Sequence, residues 1–364
     1  MRAMAPAMQA LWLLPFLAAG PACAEPVTLA TPTVYGTHMP GLGDSAVALA
    51  RLIHQRSNGR LVLDLKQPGE GTKPQEILDK VASGSVDAGF ATASFWSAKL
   101  PAGGLFSGFP FGPDGKTYLA WFEQGSGRKL YQEMYDHAGL KVHVIPCAFG
   151  GAEAGGWFKK EIKAPDDIKG LRMRIFGLGG RVMSRLGATT VLVPGGDLVA
   201  SFEKGQIDAA ELYPPAVDAQ GSLKDKIKLI YTPGWHQPET VLELIVNKDR
   251  WEGLTDHQRG LIDGACLATL RATLESSAKL EAGALAKLAN EGVRIENWPE
   301  AVLAALRQAW SEVSRDEGER DYFFKTVLDD IERFRAKAED TPQQSQAPSV
   351  SAEPSASAET KATP

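Results

Sequence analysis

Two stretches decide the fold: ILDKVASGSVDAGF at residues 77–90 and LVASFEKGQIDAAEL at residues 198–212. Each has apolar residues at helical spacing, halts at a glycine (Gly84, Gly205), and resumes as Val/Ile-Asp-Ala within a small, apolar run. That order reads as helix, turn, strand. A unit that occurs twice implies two similar α/β lobes side by side, with a cleft between them. Open α/β sheets take ligands at the carboxyl ends of their strands, so the ends of these strands are where a site belongs.

Outward from the first copy, PVTLATPTVYG (26–36) and LVLDLK (61–66) read as strands. A helix over 44–56 separates them, with Val47, Leu49, Leu52 and Ile53 on one face, Asp44 or Ser45 as cap, and Gly59 closing it. This βαβαβ order predicts a parallel sheet. A second run begins near residue 140 with LKVHVIPC, AGGWFKKEI, LRMRIFG, TTVLVP and QIDAAELY as strands. Helices GRVMSRLGA and GGDLVASFEKG lie between them. Residues 256–335 read as amphipathic helices packing on both lobes. The predicted fold class is therefore α/β, two-lobed, with a ligand cleft and long C-terminal helices. Lobe 1 is placed at 25–148, with part of 240–335 returning to it, and lobe 2 at 149–239.

The chain has 364 residues, 44% hydrophobic and 23% charged, ordinary for a globular protein. A net charge of −5 argues against a nucleic-acid surface. Residues 1–24 read as a secretory signal peptide, with one arginine, an apolar core at 11–19 and Ala22-Cys23-Ala24 at the cleavage point. A lipoprotein reading at Cys23 lacks the usual leucine three residues earlier. The mature protein is thus expected to be exported and soluble. Residues 340–364 are Pro/Ser/Ala-rich and read as a disordered tail. Cys147 and Cys266 remain after processing; a disulfide is open to an exported protein, but two lone cysteines make no framework, and buried thiols are expected.

Enzyme signatures mostly fail. There is no Walker A, no H-E-x-x-H and no metal-spaced cysteine pair. GLGGRV (177–182) lacks the last small residue of a dinucleotide loop. GDSAV (43–47) resembles the nucleophile block of some secreted esterases, but none of the six histidines has an aspartate three residues before it. Ser45 is more simply a helix-start residue, and an exported hydrolase stands as the alternative reading.

Three polar groups at strand ends remain. In LRMRIFG (171–177), Arg172, Arg174 and Phe176 share one face, and Arg174 lies nearer the carboxyl end. Glu211 follows a small, apolar run, where a carboxylate is costly unless paired or holding a cation. Glu153 sits among glycines and alanines, which let backbone approach a ligand. Phe95, Trp157, Phe176 and Trp235 are candidate apolar walls.

GLFSGFPFG, GGWFKKEI, DIKGLRMRIFGLGGRVMSRLGA, FEKGQIDAAEL, YTPGWHQP and LIVNKDRWEGL occur in that order. Over residues 28–335 they resemble the DctP-like extracytoplasmic receptors of TRAP transporters, nearest to the subgroup for 2-oxo acids and related small monocarboxylates. The resemblance implies a periplasmic-binding-protein-like fold that closes on an organic anion, no catalysis, and delivery to a TRAP permease in the membrane. It implies Arg174 on the ligand carboxylate, and Glu153, Phe95, Trp157, Phe176, Leu212, Trp235 and His236 lining the site. It also implies a metal ion, Ca²⁺ or Na⁺, on Glu211, the Leu212 carbonyl and Glu153. Some receptors of this kind dimerise through their C-terminal helices. Two positions depart from the pattern: Leu212 stands where tryptophan is usual, and Glu153 where glutamine is common. Arg174 against Glu153, Glu211 and a monocarboxylate sums to −2, which favours Ca²⁺ over Na⁺. A dicarboxylate or sugar acid is the alternative ligand on the same fold.

Overall fold

The computed structural model describes residues 25–340. The expected signal peptide and residues 341–364 of the expected tail lie outside the described residues. Residue 340, expected to open the tail, instead ends the helix Tyr322–Asp340.

Among the described residues the strands are β1 Val27–Pro32, β2 Leu61–Lys66, β3 Ala88–Ala91, β4 Val142–Phe149, β5 Gly156–Phe158, β6 Arg172–Arg174, β7 Thr189–Val191, β8 Ala209–Ala210, β9 Leu229–Thr232, β10 Val241–Asn247 and β11 Arg294–Asn297. In the first lobe β1 and β2 pair in parallel from Val27↔Leu61 to Pro32↔Lys66, and a parallel bridge Thr33↔Phe90 joins them to β3. The βαβαβ unit is thus parallel, as its order predicts, and the antiparallel pairing comes from outside it. β10 enters between β3 and β4 and runs antiparallel to both. It is the chain coming back from the second lobe, so it meets the sheet from the opposite end. All seven of its residues are buried, which suits a central strand covered on both faces. Its one charge, Glu243, accepts from Trp96 Nε1 and Tyr135 Oη, each at 2.8 Å.

The second lobe holds a six-stranded sheet in the order β11-β9-β5-β8-β6-β7. β6 is parallel to β7 and β8, while β5 is antiparallel to β8 and β9. The carboxyl ends of β6, β8 and β9 and the amino end of β5 therefore share one edge.

Two of the segments that connect the lobes are 150–155 after β4 and 233–240 before β10. They run side by side, with Gly150 N–H donating to Thr240 O at 2.7 Å and Glu153 N–H to Gln237 O at 3.1 Å. The approach needs glycine: a Cβ on Gly234 would lie 2.0 Å from the Glu153 carbonyl oxygen. The helix Asp256–Asn290 spans both lobes. Thr255 Oγ1 caps it by accepting from Gln258 N–H at 3.2 Å. A disulfide joins its Cys266 to Cys147 of β4. Further along, Glu281 Oε2 accepts from Ala216 N–H of the second lobe at 2.8 Å, and Leu288 is buried with Trp157, Phe202 and Ile230.

The disulfide corrects the expectation of free thiols. The two cysteines are 119 residues apart, and only the packing of helix on sheet brings them together. Helix Gly43–Arg56 also starts differently: neither Asp44 nor Ser45 caps it, and Ser45 Oγ donates back to Leu42 O at 2.5 Å.

Candidate ligand and metal site

The alternation in LRMRIFG separates its two arginines by function. Met173 is buried beneath the strand. Arg172, at the start of β6, is exposed and grips Asp208 with Nε at 2.8 Å and Nη2 at 2.6 Å. Arg174, at the end, is register-paired with Ala210 of β8, which puts Glu211 directly beside it. Arg174 Nη1 donates to the Glu211 carbonyl at 2.5 Å and to its carboxylate at 3.1 Å, and Nε donates to Val193 O at 3.3 Å. The side chains are 13% and 3% exposed.

Glu153 reaches the same edge from the amino end of β5. Its Oε1 accepts from Gln237 Nε2 at 2.8 Å, and its Oε2 from His236 Nε2 at 3.0 Å. Burial, the largest cause, pushes the carboxyls of both Glu153 and Glu211 up, to about 7 and about 8, and the charge of Glu153 raises Glu211 further. Burial also lowers the imidazole of His236, so the neutral ring donates through Nε2. Its Nδ1 is left buried without a partner. Ligating atoms of Glu153, Glu211 and His236 lie within 4.8 Å of one another. A cluster of carboxylate oxygens with nearby buried polar atoms fits a hard cation.

The first lobe closes over this edge. Tyr35, just after β1, meets Tyr213 edge-on at 6.3 Å and Phe95 at 5.9 Å. Its hydroxyl is held well above the usual range by burial first and then by Glu153. Between the lobes remains a cavity of about 30 Å³, touched by Ser94, Ser97, Phe176, Glu211, His236 and Gln237. That is space for little more than water, so a ligand of several heavy atoms enters only when the lobes part. A larger groove of about 770 Å³ lies outside Phe176 on the second lobe, but its charges, such as Arg185 with Glu312 and Asp316, are already paired.

The structure brings together Arg174, Glu211, Glu153, His236 and Phe176, whose ring lies 5.5 Å from the Arg174 guanidinium. Phe95 reaches the edge through Tyr35. Leu212 places its side chain against the second-lobe core. Trp157 and Trp235 do not face the cavity. Trp157 is fully buried and donates to Asp218 Oδ2 at 2.7 Å. Trp235 stacks on Phe111 at 5.8 Å. Tyr35, Gln237 and Asp218 escaped sequence reasoning. Asp218 is pushed up to about 8, by burial above all.

Residues 40–321 match the family model for DctP, bacterial extracellular solute-binding protein family 7. A monocarboxylate 2-oxoacid-binding periplasmic protein of Nostoc sp. is 32% identical over 290 residues, 80% of this chain and 79% of that protein. Among solved structures, a TRAP periplasmic solute-binding protein from Colwellia psychrerythraea, with bound calcium and pyruvate, is 28% identical with a TM-score of 0.81, covering 86% of this chain and 96% of the other. One from Pseudoalteromonas atlantica, with bound sodium and pyruvate, is 27% identical with a TM-score of 0.80, covering 86% and 95%. No helix among the described residues is long and apolar enough to cross a membrane. With a pair of lobes, a half-buried arginine at their cleft and this likeness over most of its length, the chain belongs to the DctP family and is a solute-binding receptor of the TRAP type.

Proposed function

We propose that this receptor captures a small 2-oxo or 2-hydroxy monocarboxylate together with a cation in the periplasm, and delivers it to a TRAP permease. The observation that carries the reading is Arg174. It is a half-buried guanidinium at the carboxyl end of a parallel strand, beside a carboxylate pair suited to a cation. A planar guanidinium holds a carboxylate by parallel, charge-assisted bonds. Nη2 of Arg174 is bonded to no described residue, and it is the group for the ligand carboxylate. Glu211, the Leu212 carbonyl and Glu153 would hold the cation, which supplies a positive charge for the ligand's 2-oxygen. Closure removes water and strengthens both contacts.

Arg172, the other arginine of the strand, is held by Asp208 at the far end. This favours a monocarboxylate over a dicarboxylate. A thermal-shift panel of organic acids tests the reading: pyruvate and related 2-oxo or 2-hydroxy acids raise the melting temperature, and succinate and malate do not. Stabilisation by dicarboxylates alone would replace it.

A further inference from the structure

We propose that Tyr35 is the first lobe's contact to the ligand: its hydroxyl donates to the same carboxylate that Arg174 holds from the second lobe. The inference rests on the carboxylate-receptor reading above and names the residue that binds the ligand from the opposite side.

Tyr35 and Arg174 occupy matching places. Arg174 ends β6, a strand parallel to both of its neighbours. Tyr35 follows β1, which is parallel to β2 and bridged in parallel to β3 through Thr33 and Phe90. Both therefore stand at the carboxyl ends of parallel strands, where such sheets meet their ligands. The chain around Tyr35 is also pinned before a ligand arrives. Thr33, fully buried, donates through Oγ1 to the Tyr35 carbonyl at 2.8 Å and to Lys66 O at 3.0 Å, and Val34 N–H donates to Phe90 O at 3.1 Å. A side chain anchored in this way loses little freedom on binding.

The ring is held as well. It meets Phe95 of its own lobe at 5.9 Å and 84°, and Tyr213 of the second lobe at 6.3 Å and 80°. Both are edge-to-face contacts of the favourable kind, and the second crosses the cleft. The charged groups that act on the hydroxyl, Glu153, Glu211 and Arg174, all belong to the site. Glu153 already accepts from Gln237 and His236, and Glu211 from Arg174, while the Tyr35 hydroxyl bonds to no described residue. A phenol at neutral pH carries its proton and donates it, so a free donor in this setting fits one further negative oxygen.

The arginine leaves such an oxygen open. Its Nε and Nη1 are engaged by Val193 O and by Glu211, so Nη2 serves the ligand from one side. A carboxylate presents two oxygens with about four lone-pair sites, which leaves room for a donor from the opposite lobe. The ligand then ties the two lobes together, and losing the Tyr35 bond speeds release more than it slows capture.

Tyr35→Phe tests this. Because the hydroxyl bonds to no described residue, the substitution should leave the urea midpoint of the ligand-free protein unchanged. Calorimetry with pyruvate in calcium-containing buffer should show affinity about 10- to 100-fold weaker than wild type, the scale of a hydrogen bond to a charged group. Stopped-flow tryptophan fluorescence should place the loss in faster dissociation, with the association rate little changed. A variant that binds as tightly as wild type, or a loss that comes only with a lowered urea midpoint or falls on association alone, overturns the assignment and leaves the carboxylate receptor standing. No heat from any 2-oxo acid with wild type overturns both.

Discussion

Arg174 Nη1 lies 2.5 Å from the carbonyl oxygen of Glu211 and 3.1 Å from its carboxylate, so one cation steadies both the strand end and the acid beside it. The parallel register of β6 and β8 produces this contact, because Arg174 pairs with Ala210 and leaves Glu211 as the next residue. An arginine so engaged through Nε and Nη1 is already oriented before a ligand arrives, which lowers the entropy cost of binding.

The hinge makes a prediction of its own. A Cβ at Gly234 would lie 2.0 Å from the Glu153 carbonyl, so Gly234→Ala must push the two connecting segments apart. The Glu153 contacts to His236 and Gln237 then lengthen. Ligand affinity should drop at least about tenfold, equivalent to 1.4 kcal/mol, and calorimetry would read it. Gly196→Ala, a control with open space around the glycine, should bind normally.

The long helix carries a pH-sensitive contact. Glu281 bonds Ala216 N–H, while its Oε1 is buried without a partner. Burial pushes it up to about 7, and Glu239 adds to the rise. A folded value above the unfolded one, near 4, means the acid favours folding fully at low pH and loses that contribution as pH rises through about 7. Urea unfolding should show Glu281→Gln gaining stability relative to wild type between pH 5 and pH 8 (roughly the span set by these values). A parallel pH dependence in the two proteins would count against it.

Trp157 and Asp218 form a second buried contact, 2.7 Å between Nε1 and Oδ2. Asp218 Oδ1 has no partner, so Trp157→Phe would strip the carboxyl of its recorded donor. The expected cost is about 1–3 kcal/mol, measured as a lower urea midpoint. Because Trp157 faces the second-lobe core, ligand affinity should change far less than in Gly234→Ala.

The Cys147–Cys266 disulfide closes a loop of 119 residues. Chain-entropy reasoning assigns a loop of this size about 4–5 kcal/mol. Reduction, or Cys147→Ser with Cys266→Ser, should lower the melting temperature while leaving ligand binding in place. Mass spectrometry of the unreduced protein should find no free thiol at either position.

The lobes, their repeated helix–glycine–strand unit and Arg174 could be read from periodicity, because each follows from local spacing. The family resemblance, rather than spacing, supplied the carboxylate and cation for Arg174 and Glu211. Other features depend on distant partners and left no local trace. β10 is a plain apolar run whose direction is set by where the chain returns. Asp218 gains meaning only from Trp157, 61 residues away, and Gln237 only from Glu153. Tyr35 looks like the end of a strand until the first lobe folds it over the second. The disulfide was missed for the same reason.

Equilibrium dialysis of labelled pyruvate with wild type and Arg174→Met, in the presence of calcium, tests the central claim most directly. Wild type should bind one ligand per chain, and the variant should lose about 100-fold or more in affinity, the scale of a charge-assisted pair. Far-ultraviolet circular dichroism should confirm that the variant is folded. A folded Arg174→Met protein that binds pyruvate as tightly as wild type would contradict the account.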